Sequence, residues 1–530
     1  MSRFNLIDKP WIPVRFPDGT RAELGIRDTL LRAKDIAVIE DSSPLVVASL
    51  HRLLLAVLYR ALEGPTDIDQ AKALFKAGLP ADKIEAYLEQ WRPRFWLFDD
   101  TYRILQIPGY DAPKKWQAWT KLAAERNSND TRVLFDHTNV TAAGSISEAT
   151  AARWLIAIQT FALGGGNSDF GYTSTAPSAG AAMVIPVGHN LADTLLFCLT
   201  PQNREVLRSD LPAWECEPDT PTRLLSGIAR SISGNAQLYT WLSRSIHLKQ
   251  SANTELTHVA FAAGIKFDGE FFDPMLAYRI DEKHGRLPIH FKEHGLWRDF
   301  DSLLPDDAHL APAVIEHAAD LTRLIRERAP KSVMVLGQSS NKAKIEYWRM
   351  ERYQLPPSLV SNANTRSEIR QLLIDAELSE SALDASLRDW AKSMITKCDR
   401  DLQPDKWANG KWIPGDVSKA IGKTSLDMPP APALVYWSTL EAAFHEVLRQ
   451  YTLDADPDAI RYGWLKTVRS TLRDAWQRHV ASVSTSNAWA TRALMRAEEH
   501  VNNQAGMLSK EIQQYETYLK SQRQSQEESA

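Results

Sequence analysis

The stretch Val501-Asn-Asn-Gln-Ala505-Gly-Met-Leu508-Ser-Lys-Glu-Ile512-Gln-Gln-Tyr515-Glu-Thr-Tyr-Leu519 decides how the last third of this chain folds. Its apolar residues recur at spacings of 4, 3, 4, 3 and 4, which draws one apolar stripe along a long helix. Three more stripes precede it. Ile460, Trp464, Val468, Leu472, Ala475/Trp476 and Val480 follow Asp456 as cap and Pro457 in the first turn. Trp437, Leu440, Phe444, Val447/Leu448 and Tyr451 make another, and Leu383, Leu387, Trp390, Met394 and Cys398 the first. Four one-faced helices need each other to bury their stripes, so a bundle is expected, with the aromatic residues in its core. The tail after Ser521 is expected to be disordered.

Toward the N-terminus the pattern becomes mixed. Residues 4–7 and 11–16 read as short strands, and the Asp18-Gly19 turn leads to a third at 21–24. Helical patterns follow at 44–63, 68–77 and 81–91, then an extended pair at 95–98 and 102–107. Residues 45–62 form the most apolar run, but His51, Arg52 and Arg60 interrupt it, and Ser43-Pro44 reads as a helix start. A buried helix is expected there, not a membrane span. Polar, aperiodic residues 121–144 predict a long loop. A helix at 146–163 is opened by Ser145-x-x-Glu148, in the manner of a capping box, and ends in Gly164-Gly165-Gly166-Asn167. Strand-like runs lie at 181–186, 194–200, 259–267 and 332–336. The expected fold class is α+β: a mixed N-terminal domain of short sheets and helices over 1–366, then a C-terminal four-helix bundle over 367–530.

At 530 residues the chain is too long for one core, and its 44% hydrophobic and 24% charged composition is that of an ordinary globular protein. Cys198, Cys216 and Cys398 stand far apart with no CxxC pair, which fits a reducing cytoplasm and leaves no thiolate zinc site. The start of the chain does not read as a signal peptide. A net charge of −4 does not mark a nucleic-acid binder. Residues 321–352, however, carry eight Lys/Arg against three Glu, a local charge of +5. A basic island on an acidic chain suits either an anionic polymer or a solvated helix face.

Tests for chemistry return little. Gly422-Lys423-Thr424 resembles the end of a phosphate-binding loop, but Val417 stands where the motif needs its first glycine. His284, His290 and His294 lack carboxylates or cysteines at ligand spacing, and no GxSxG elbow is present. No enzyme, cofactor or metal is expected. The glycine run is more informative: three residues without side chains let another backbone or a groove edge approach closely. Asn167 follows, so main-chain N–H groups there could reach phosphate or base-edge acceptors.

At these residues the chain resembles the CasA family, the large subunit of the type I-E CRISPR Cascade complex. The resemblance rests on Phe4-Asn-Leu-Ile-Asp-Lys-Pro-Trp-Ile-Pro-Val14, Phe161-Ala-Leu-Gly-Gly-Gly166 and Leu238-Tyr-Thr-Trp-Leu-Ser-Arg244. It continues in Gly337 through Lys344 and in Trp348-Arg-Met-Glu-Arg352. It implies a non-catalytic subunit that inspects target double-stranded DNA for a protospacer-adjacent motif (PAM) through the minor groove. Such a subunit promotes duplex opening and R-loop formation, and docks a helicase–nuclease effector. The implied partners are target duplex DNA, CRISPR guide RNA, the other Cascade subunits and that effector; no membrane is involved. Gly164, Gly165, Gly166 and Asn167 match the family's glycine loop. Asn341, Lys342, Ala343 and Lys344 match its wedge-bearing loop, with Lys342 where relatives carry glutamine. Lys266 is the nearest match to a basic residue that relatives place before the Asp273-Pro274 pair. Phe135, Asp136 and His137 match the loop that docks on guide RNA and neighbouring subunits; Phe135 suits either stacking on a base or a place in the core. Relatives with a four-cysteine zinc site have no counterpart of those cysteines here, so no zinc is implied. The competing expectation is an architectural helical scaffold without DNA-motif recognition.

Overall fold

The computed structural model describes residues 4–126, 136–137, 142–251, 255–292, 294–304, 309–323, 325–341, 344–354, 363–395, 431–451, 455–483 and 485–527. The fold is α+β, and its contacts fall into two units, Met1–Leu355 and Pro356–Ala530. The sequence pattern alone put the change at 366/367.

In the first unit the apolar run becomes the helix Pro44–Leu62, buried on nearly every side. Ser43 caps it by accepting a hydrogen bond from the Val46 amide at 3.2 Å, and Glu63 ends it in the left-handed region. Length and composition would let this helix cross a membrane, but its surface is spent inside the protein. The Glu148–Phe161 and Ala81–Trp91 helices pack against it. Helices Ile68–Ala77 and Ala81–Trp91 form where the pattern places them.

Several local readings are corrected. Residues 4–7 are not a strand: the Asn5 side chain accepts the Ile7 amide and turns the chain, leaving one bridge, Asn5 to Trp96. The pair at 95–98 and 102–107 is likewise irregular, with Leu105 at φ +51°. Residues 194–200 lie mostly in the helix Leu191–Cys198, capped by Asn190 and wholly buried. A fully buried segment has no polar face, so its periodicity cannot tell helix from strand. The 259–267 run breaks at Gly264, where a Cβ would sit 2.2 Å from the Leu242 carbonyl oxygen. Strand Leu256–Ala263 pairs with Arg244–Gln250, while Lys266–Phe267 leaves to pair in parallel with Ala229–Arg230.

Strand Ser332–Asn341 and strand Lys344–Tyr353 form one long antiparallel hairpin, and the first also pairs with Met183–Val187. The +5 segment is therefore largely a ribbon whose inner strand, Val333 to Leu336, lies in the core.

The second unit is built from Ala363–Ile395, Pro432–Gln450, Pro457–Ser482 and Ala488–Glu527, which pack on one another as a bundle. Asp456 caps the third, accepting from the amides of Asp458 and Ala459. The last helix runs past Ser521 to Glu527, where the sequence suggested a disordered tail.

Burial also fixes a pH response. His51, His247, His317 and His479 are held neutral, their pKa pulled down to about 4 chiefly by desolvation. An unfolded histidine protonates near 6.5, so as pH falls the unfolded state takes up protons first and stability drops between 6.5 and 4. Glu125 opposes this: desolvation pushes its carboxyl up to about 7, so it adds stability as pH falls from 7 toward 4.5. Between pH 7 and 5 four rings outweigh the Glu125 carboxyl, which leaves a net loss. The urea midpoint of the full chain is expected to fall between pH 7 and pH 5; a rise would contradict the assignment.

Candidate nucleic-acid interface

The glycine run is not the cap of the helix before it. Glu148–Phe161 ends with Ala162 already extended, and the glycines form a separate corner two residues on. Gly165 and Gly166 have φ of +136° and +87°, a region that residues with a Cβ rarely enter. Gly164 answers a different demand, since a Cβ there would lie 2.6 Å from the Thr175 amide nitrogen. The corner leads into a two-stranded hairpin, Asn167–Ser168 against Gly171–Tyr172, with Tyr172 largely exposed opposite Asn167.

Side chains brace the corner. The Gly164 amide donates to Thr175 Oγ1 at 2.9 Å. The Gly165 amide donates to both the Thr173 carbonyl and Thr173 Oγ1 at 3.0 Å. The Thr173 hydroxyl donates in turn to the Gly165 carbonyl at 2.8 Å, and the Thr173 amide to the Gly166 carbonyl at 3.1 Å.

A cleft of about 590 Å³ opens over this corner. Gly164, Gly165, Gly166 and Asn167 line one wall, and Lys115, Lys121 and Arg126 also reach it. Ile345, next to the tip of the Ser332–Tyr353 ribbon, lines the same cleft. Gln338 fixes that ribbon to the site, donating to the Phe161 carbonyl at 2.7 Å from a fully buried position. Gly337 lets the ribbon approach closely: a Cβ there would meet the Ala181 carbonyl oxygen at 2.8 Å. Thus the glycine corner and the base of the Asn341–Lys344 turn face one space. Asn341 and Lys344 are the last paired residues of their strands. Lys342, Ala343 and Phe135 lie outside the described residues, as do Cys398 and Gly422-Lys423-Thr424.

Other sequence candidates fall elsewhere. Lys266 is exposed on its two-residue parallel pairing and does not line the cleft. Asp136 forms an ion pair at 3.2 Å with Arg126, and His137 is exposed. The three histidines go separate ways: His284 to Asp281, His290 to the Gly180 carbonyl and His294 to Asp299. Among the described residues, no three His, Cys, Asp or Glu side chains are grouped to hold a metal ion.

Sequence reasoning passed over the residue beneath the corner. Arg244 is buried and lines the cleft, and desolvation pulls its pKa down to about 10, so it stays charged at neutral pH. Its only signal was its place at the end of Leu238-Tyr-Thr-Trp-Leu-Ser-Arg244, a cation closing a largely apolar run.

Residues 5–475 match the family model described as CRISPR-associated protein Cse1. A CRISPR-associated protein CasA/Cse1 of Thermus thermophilus is 32% identical over 525 residues, covering 97% of this chain and 99% of the relative. The solved structure of Thermus thermophilus CasA (Cse1) superposes with a TM-score of 0.80 at 30% identity, covering 96% of this chain and all of that one. A chain of a structure described as a CRISPR RNA-guided surveillance complex shares the fold, with a TM-score of 0.70 at 16% identity over 94% of this chain and all of that one.

Proposed function

This chain belongs to the CRISPR-associated protein Cse1 family, and on that premise we propose that it is the large, non-catalytic subunit of an RNA-guided Cascade surveillance complex. In this reading it works in the cytoplasm, bound to guide RNA and companion subunits. It recognises the PAM in target duplex DNA from the minor groove, starts strand separation and docks the helicase–nuclease. The observation that carries the reading is the shared cleft: a bare glycine corner and the base of the ribbon turn face one space beside Lys115 and Lys121. A minor groove is narrow and displays a degenerate acceptor pattern, so small residues with one or two polar tips suit it. Flanking cations suit phosphates on either side.

In this assignment Gly164 to Asn167 and Asn341 to Lys344 contact the motif, with Lys342 as the wedge. An inserted side chain helps offset the unstacking of a base step. An ammonium donates to O2, N3 or phosphate oxygens but accepts nothing, so the preferred motif should differ from one read by an amide. Asp136 and His137, with Phe135, form the docking loop for RNA and neighbouring subunits. Lys266 is kept as a phosphate contact outside the cleft.

Lys342→Ala is expected to cost about 1–3 kcal/mol on the preferred motif and to change the order of preference. Competition binding on duplexes that differ only at the motif measures both. Equal binding to every motif by the unaltered protein would favour an architectural scaffold instead. Unchanged preference in the variant would remove the wedge from Lys342.

A further inference from the structure

We propose that Arg244 is a positioning residue for the glycine corner: it clamps the two legs of the turn and so sets which base edges the corner accepts. The inference rests on the DNA-motif reading of the cleft above, and it gives a role to a sequence motif that reading left without one.

Three successive glycines have more conformational freedom than any other tripeptide. A corner left to itself would sample many shapes and discriminate poorly, because selective contacts need donors held near one geometry. The rigidity must therefore come from outside the run. Arg244 supplies it from below. Its Nη2 donates to the Leu163 carbonyl, the last before the glycines, at 2.5 Å. Its Nη1 donates to the Ser174 carbonyl on the returning leg at 2.7 Å, and to the Ser243 carbonyl at 2.6 Å. One planar guanidinium thus spans both legs, and the Ser243 bond holds it to its own strand. A lysine could not reproduce this, since its single nitrogen lacks the fixed fork.

The electrostatics point the same way. Arg244 is 2% exposed, and among the described residues no Asp or Glu pairs with it. A buried cation without a countercharge is costly, and its return here is three charge-assisted bonds to backbone carbonyls. Two of those carbonyls belong to the legs of the corner. The Thr173 hydroxyl completes the clamp above it, bonded to the Gly165 amide and carbonyl. Corner geometry therefore depends on one charged side chain and on the neutral hydroxyls of Thr173 and Thr175, and this makes the idea separable from a simple charge effect.

The test uses the full chain, purified with its guide RNA and companion subunits. Competition binding against duplexes randomised at the motif gives the ratio of preferred to non-preferred affinity. Thermal unfolding and amide exchange at Gly164 and Gly165 are recorded on the same samples. Thr173→Val and Arg244→Met are each expected to shrink the ratio by about tenfold and to speed exchange at both glycines. Thr173→Ser, which keeps the hydroxyl, should restore the ratio, and Arg244→Lys should not. Full discrimination with unchanged exchange in Thr173→Val and Arg244→Met, in folded protein, overturns the proposal. So does an equal loss on all duplexes from Arg244→Met alone, because that marks a charge effect. If the unaltered protein shows no motif dependence, the functional reading of the cleft fails; glycine exchange then decides the clamp alone, faster exchange supporting it and unchanged exchange refuting it.

Discussion

Asp273→Ala is expected to destabilise the first unit by about 3–5 kcal/mol, because it strands a buried cation. Asp273 and Arg52 are almost wholly inaccessible and meet at 2.7 Å. The same carboxylate oxygen accepts the Ser178 hydroxyl at 3.0 Å, and the other accepts the Met275 amide at 3.0 Å. Arg52 projects from the central apolar helix and lies over the Tyr239 ring, 4.4 Å from its centroid. The segment it grips is tied to two further elements. The Met275 carbonyl accepts from Val184 in the sheet, and the Pro274 carbonyl from Val314 at the start of the Ala313–Thr322 helix. Removing the carboxylate leaves the Arg52 cation buried with no countercharge. Because native domains are stable by roughly 5–15 kcal/mol, this is a large fraction of the total. Adding Arg52→Leu to Asp273→Ala should recover much of the loss, since the stranded charge goes with it. Urea unfolding of the two variants checks the ranking. A double variant no more stable than Asp273→Ala would mean that the charge is not the cause.

That ion pair also shows how far the sequence could be read. Arg52 and Asp273 are separated by more than two hundred residues, and nothing local marks them as partners. In the sequence the Asp273-Pro274 pair serves only as a landmark for a basic residue near it; the aspartate itself is structural. Legibility follows the range of the physics. Caps and stripes act within one helix, so Ser43, Asp456 and the bundle pattern could be read directly. Ser145 shows the limit even there: Ser147, two residues later, is the residue whose hydroxyl accepts the Thr150 amide, while Ser145 bonds to Glu255, just before the strand Leu256–Ala263. The glycine corner could be read as a place of close approach, yet the groups that approach it, Thr173, Thr175 and Arg244, come from the returning leg and a distant strand. Residues 194–200 read as a strand yet fold mostly as helix, because total burial erases the periodicity that separates the two.

Trp464→Ala in the bundle is expected to cost a similar 3–5 kcal/mol, but through packing rather than charge. Trp464 is 1% exposed on the helix Pro457–Ser482. Its ring meets Phe444 of the preceding helix edge-on, with centroids 6.1 Å apart, and its Nε1 donates to the Leu372 carbonyl at 2.9 Å. One side chain thus joins three of the four helices. The two contributions can be ranked in advance. Leu372 lies inside the helix Ala363–Ile395, where a carbonyl already accepts the amide four residues on, so losing the indole donor leaves no orphaned acceptor. Trp464→Phe therefore removes a hydrogen bond worth about 1 kcal/mol while keeping most of the ring. Trp464→Ala removes the ring and leaves a cavity whose cost grows with its volume. Hydrogen exchange on peptides from residues 457–482 of the full chain, read against urea, gives both values. The expected order is a small loss for phenylalanine and a loss several times larger for alanine. Equal losses would show that the indole N–H, not the packed ring, joins these helices, and a bundle drawn from apolar spacing would then rest on the wrong interaction.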